Sequence, residues 1–133
     1  MTLKVFIENI KTLTFSKVIK GILFAWLISI PFAPFLYSLM PKMFSDLYQI
    51  ENLWIQWGLW IGNIILSMIF LKGIIGKEDK KNALEIGCMF GVFIVMLNLI
   101  NTPWVYVSYG YILLSSLVTF LTLSALGYIL GEK

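Results

Sequence analysis

Two groups of ionisable side chains stand close enough in the chain to be weighed as chemistry: Lys42, Asp46 and Glu51, and then Glu78, Asp79 and Glu85. Neighbouring carboxylates can serve acid–base chemistry beside a nucleophile, and phosphoryl or lipid transfer asks for metal ligands or basic phosphate clamps. Neither group carries such a motif, and the chain has no histidine. His-based triads, zinc sites with histidine ligands and imidazole ligation of haem are thereby excluded. Cys88 is the single cysteine, which excludes an internal disulfide and a cysteine metal cluster. It has no basic neighbour to activate it and reads as a small packing side chain. Asp46 and Glu51 read as the solvated face of an amphipathic stretch. Asn82 and Glu85 have capping-box spacing ahead of an apolar run, which predicts a helix starting at Ala83 with Asn82 as its cap. Glu85 then serves the cap and not proton-linked transport. The reading is a non-enzymatic chain without catalytic residues, cofactor or metal.

The remaining polar groups sit inside apolar runs: Asn63, Ser67, Asn98, Asn101, Ser115 and Thr119. A buried amide needs hydrogen-bond partners. These groups are candidates for contacts between helices, or for the lining of a passive pore. The last apolar run also carries Ser116, Thr122 and Ser124, whose hydroxyls can bond back to a carbonyl three or four residues earlier.

The elements that must position these groups are long apolar helices. The 133 residues are 59% hydrophobic and 13% charged, with mean hydropathy +0.89. A soluble domain of this size has too much surface for so few charges, whereas a spanning helix needs about 20 mostly apolar residues. The expectation is an all-α integral membrane protein, a single domain over 1–133 built as a four-transmembrane-helix bundle. Residues 1–16 form an amphipathic interfacial helix, with Leu3, Phe6, Ile7, Ile10 and Leu13 opposite Lys4, Glu8 and Lys11. Span one covers 17–40, an outer interfacial segment 43–52, span two 53–75, a cytoplasmic loop 76–82, span three 83–101 and span four 109–130. The first apolar run starts only after Lys20, without an Ala-x-Ala-like site, and reads as retained. Pro31 and Pro34 predict a kink around Ser29 to Ala33. Lys72, near the end of span two, is expected to snorkel toward water.

Small residues recur every fourth position: Gly21, Ala25, Ser29 and Ala33; Gly58 and Gly62; Ala83, Gly87 and Gly91; Gly127 and Gly131. Such faces let helices approach closely, and they are candidates for packing within the chain or between copies.

With four spans, nine of the ten lysines fall on the side of the termini and the Lys72–Asn82 loop, and Lys42 alone on the other. Short lysine-rich loops stay inside, so the chain is placed in the cytoplasmic membrane with both termini cytoplasmic. Spread over span ends, the lysines argue against nucleic-acid binding. The outer half gathers aromatics, among them Trp54, Trp57, Trp60, Trp104, Tyr106 and Tyr109. Interfacial anchoring accounts for many of them; their excess on one side makes them candidate contacts for a protein or peptide partner. The spans carry no central ionisable group, which argues against coupled ion transport. The reading is an accessory, immunity-like or complex-forming subunit, homo-oligomeric or part of a larger membrane complex. The alternative is a homo-oligomeric channel, a holin-like pore or a small uncoupled transporter.

Overall fold

A computed structural model describes residues 1–35, 53–101 and 109–132. Of these, 87% are helical, and no strand occurs among them. The helices are α1 (Leu3–Lys11), α2 (Phe15–Ser29), α3 (Leu53–Ile75), α4 (Lys80–Asn101) and α5 (Tyr109–Leu130). By length and composition α3, α4 and α5 can each cross a membrane, and α1 with α2 would make a fourth, broken by an 86° bend. The expected segment 43–52, the far part of span one and the link carrying Trp104 and Tyr106 lie outside the described residues.

Local chemistry sets the breaks. The Thr2 hydroxyl accepts from the Val5 amide at 3.3 Å and starts α1. The Thr14 hydroxyl accepts from the Lys17 amide at 3.3 Å and starts α2. Threonine at these positions satisfies an amide that the first turn leaves unpaired. The chain turns between the two caps, and Leu13 at the corner packs against the core. α2 stops at Ser29 and gives way to a turn over 30–32, with helical backbone again at 33–35. Pro31 and Pro34 bracket that interruption, each lacking the amide that would continue the ladder. α3 ends on Gly76, whose φ of +58° is open to glycine and strained for other residues. Its amide donates to the Lys72 carbonyl at 2.9 Å.

α4 begins at Lys80, three residues before the expected start at Ala83. Asp79 takes the capping role assigned to Asn82. Its carboxylate accepts from the Asn82 amide at 2.8 Å, and its carbonyl accepts from the Ala83 amide at 2.9 Å. Asn82 lies within the first turn, where its side-chain amide donates to Glu78 Oε2 at 3.0 Å. An acid at the cap satisfies a first-turn amide and complements the helix dipole, so it outcompetes the asparagine three residues on. Asp79→Ala is expected to lower stability by about 1 kcal/mol, and Asn82→Ala by clearly less, both measured by unfolding in detergent.

The core lies at one end of the bundle. Ala25 of α2, Ile64, Met68, Leu71 and Ile75 of α3, Ala83 of α4 and Leu123, Leu126 and Leu130 of α5 form one buried cluster. From Ile55 to Asn63, no residue of α3 with a described side chain is buried. The most extensive packing joins α4 to α5, and α2 lies against α5 and α3.

Candidate functional site

Two features stand out on this framework: a sealed end, where α5 finishes, and an open face on α3.

The sealed end is built on Lys72. Its side chain is 0% exposed. Its ammonium donates to the Gly76 carbonyl at 2.7 Å and to the Leu130 carbonyl at 3.2 Å, and stands 3.8 Å from Glu132 Oε1. This departs from the snorkelling expected of it. The physical reason is supply: one turn beyond Lys72 the chain reverses at Gly76, and the last turn of α5 presents carbonyls that its own helix cannot satisfy. A lysine with three donors meets them inside the protein. Lys17 of α2 reaches the same place, with Nζ 3.4 Å from the Leu130 carbonyl and 3.5 Å from that of Gly131. Lys80 donates to the Tyr128 carbonyl at 3.4 Å, and its ammonium lies 4.7 Å from the centre of the Tyr128 ring. Three cations thus converge on the negative end of one helix dipole. The Glu132 amide donates to the Glu78 carbonyl at 2.9 Å, and Asp79 and Glu132 form an isolated parallel bridge. Lys72, Glu78, Asp79 and Lys80 of the Lys72–Asn82 loop thus also clamp the end of α5.

α1 closes the same end. The Phe6 ring covers Gly73, where a Cβ would collide with it, and meets Phe70 edge-on with centroids 5.7 Å apart. Asn9 donates to the Gly73 carbonyl at 2.9 Å. Composition alone missed this site. Its signal was Gly73-x-x-Gly76 beside an asparagine and a phenylalanine on the apolar side of α1, but nothing in the chain announces which helix those residues meet.

The small residues divide into those used inside the chain and those left open. At Gly127 a Cβ would lie 2.6 Å from the Ala83 carbonyl oxygen and 2.8 Å from the Gly87 Cα. At Gly87 it would lie 2.8 Å from the Leu123 carbonyl oxygen, and at Gly131 2.7 Å from the Lys80 Cα. Gly91 faces Phe120 less tightly. Gly21 and Ala25 are buried on α2, Gly21 against Met68 and Leu126. Ser29 bonds back to the Ala25 carbonyl at 2.8 Å, and Ala33 is half-buried. At Gly58 and Gly62 a Cβ would meet none of the described residues within 4 Å.

The polar candidates separate in the same way. Asn98, Ser115 and Thr119 meet across α4 and α5, joined by Tyr111 and Ser116 around a cavity of about 50 Å³. That space suits one ordered water. Ser115 bonds back to the Ile112 carbonyl at 3.2 Å and Ser124 to that of Phe120 at 2.7 Å. Cys88 donates to the Ser124 hydroxyl at 3.3 Å. Ser67 lines a wide groove of about 390 Å³ with Phe6, Leu66, Ile69, Phe70 and Phe90. Asn63 stands apart from the rest, exposed between Leu59 and Leu66 and without a hydrogen bond to any described residue. The Asn101 and Trp54 side chains lie outside the described ones. Trp57 and Trp60 meet edge-on with centroids 6.4 Å apart, and Tyr109 is 80% exposed at the start of α5.

No family model, curated protein or solved structure matches the chain.

Proposed function

We propose that this chain is a non-enzymatic integral protein of the cytoplasmic membrane, with both termini inside. In this reading it acts as an accessory or complex-forming subunit by packing against other membrane helices. An immunity-like role, shielding against a membrane-active partner, belongs to the same class. The lysine-sealed end faces the cytoplasm, and the α3 terminus bearing Trp57 and Trp60 faces outward. The observation that carries the reading is Asn63. Counting 1.5 Å per residue, it lies about 14 Å along the helix from Lys72 and about 9 Å from Trp57, well inside a hydrocarbon layer about 30 Å thick. An amide unpaired at that depth costs roughly 2–7 kcal/mol. The helix face around it, with Gly58 and Gly62 uncovered, suits a neighbouring helix. A photo-reactive residue at Leu66, used in native membranes, tests the proposal: protein adducts are expected, and labelling of lipid alone would contradict it. Apart from that face, a partner with an extracellular portion has the outer aromatics Trp57, Trp60 and Tyr109 to meet.

One observation favours the channel reading as a second possibility. Asn98, Tyr111, Ser115, Ser116 and Thr119, with Leu99 and Ile112, line a small space of mixed polarity between α4 and α5. Within one chain that space holds about one water, so a pore requires several copies and a rearranged hairpin. Conductance of the purified protein in planar bilayers, abolished by Ser115→Leu, would favour it. Silence across all oligomeric forms would remove it.

A further inference from the structure

We infer that the partner helix at Asn63 is α3 of a second copy of this chain, with the two Asn63 amides bonded to each other near the middle of the membrane. The inference rests on the accessory-subunit reading above and names its partner. Glycines deeper in the bundle are consumed inside the chain: Gly21 against Met68, Gly87 against Gly127, Gly131 against Lys80. Among the described residues, nothing fills the space where a side chain would stand at Gly58 and Gly62. Leu59 and Leu66, one turn to either side of Asn63, are 68% and 66% exposed. These five residues make a continuous, charge-free strip on one side of α3.

Symmetry points the same way. The lysine distribution that orients one copy orients every copy alike. A two-fold axis between copies therefore stands normal to the membrane, and each residue meets its counterpart at its own depth. Asn63 then meets Asn63. An amide carries both a donor and an acceptor, so two related by that axis can each donate to the other. Gly62, adjacent in sequence, lets the two backbones come close enough for short amide arms to reach. An uncharged strip offers nothing to select a charged partner, and a carboxylate or an ammonium at that depth would be poorly matched by an amide alone. The amide, the glycines and the depth all suit a copy of the same helix.

The test uses the full chain in native membranes, with Cys88→Ser as background and single cysteines at Leu59, Leu66 or Met89. Met89 is 73% exposed on α4 and serves as the control for random collision. Mild oxidation is expected to link two copies through Leu59→Cys and Leu66→Cys and not through Met89→Cys. Adding Asn63→Leu should weaken the dimer by about fivefold to thirtyfold, the effect of losing an amide pair in a membrane, and Asn63→Gln should largely retain it. Equal linkage at all three cysteines, or a dimer indifferent to Asn63→Leu, would overturn the inference. The photo-reactive residue at Leu66 separates the remaining outcomes. Adducts with a different protein and no self-linkage would overturn self-pairing and leave the accessory reading intact. Adducts with lipid alone, with no self-linkage, would overturn both.

Discussion

Gly127→Ala is expected to lower the stability of the detergent-solubilised protein by about 1–3 kcal/mol, measured by reversible unfolding in a mixed micelle. The added methyl has nowhere to go. Its nearest neighbours are the Ala83 carbonyl oxygen at 2.6 Å and the Gly87 Cα at 2.8 Å, and backbone atoms cannot rotate aside as a side chain can. α4 and α5 must separate, which also loosens the contacts at Gly131 and Gly91. Helix propensity works in the opposite direction, since alanine exceeds glycine by about 1 kcal/mol in a helix interior. A net loss therefore means that packing outweighs propensity. Gly58→Ala is the matched control: with no atom within 4 Å of the new methyl, the monomer should be unchanged or slightly more stable. Gly87→Ala combined with Gly127→Ala should cost less than the sum of the two, because one displacement relieves both clashes.

Lys72→Met should cost about 2–4 kcal/mol, more than any other lysine replacement in the chain. Methionine keeps most of the volume and removes the donors, leaving the Gly76 carbonyl without its 2.7 Å partner and the Leu130 carbonyl with Lys17 alone. The ion pair with Glu132 is the smaller part of the loss. That carboxylate is 47% exposed and 3.8 Å away, so solvent screens it, and Glu132→Gln should cost less than about 1 kcal/mol. Amide exchange gives the local readout: protection at Gly131 and Glu132 should fall in Lys72→Met before the α4–α5 contact opens. A near-neutral Lys72→Met would mean that this lysine reaches water, as its place near a span end first suggests.

Hydropathy and spacing carried much of the fold. Long apolar runs read as helices because every backbone group in such a run must be paired within it, and α3 and α5 occupy the stretches 53–75 and 109–130 expected of them. The four-residue ladder through Ala83, Gly87 and Gly91 was visible in the same way, and so was that of Gly127 and Gly131. Their pairing was not visible, because spacing describes one helix and says nothing about its neighbour. Lys72 was misread for a related reason. A lysine near a span end has two sources of oxygen, water and the carbonyls of other helix ends. Only the placement of Leu130 and the reversal at Gly76 decide between them. The start of α4 was missed by three residues because Asp79 and Asn82 are both good caps, and the winner depends on where the preceding turn delivers the chain. Asn63 was recognised as a polar group in an apolar run, but its position on the uncovered side of α3 required the other helices to be in place.

In the proposed reading, another helix occupies the strip of α3 that the described residues leave uncovered. Oxygen accessibility of single spin labels in reconstituted membranes addresses it most directly. Labels at Leu59 and Leu66 are compared with labels at Leu113 and Met89, which are 71% and 73% exposed on α5 and α4. The two α3 positions are expected to be shielded from oxygen, while Leu113 and Met89 show the high accessibility of a lipid-facing helix. High accessibility at all four would contradict it.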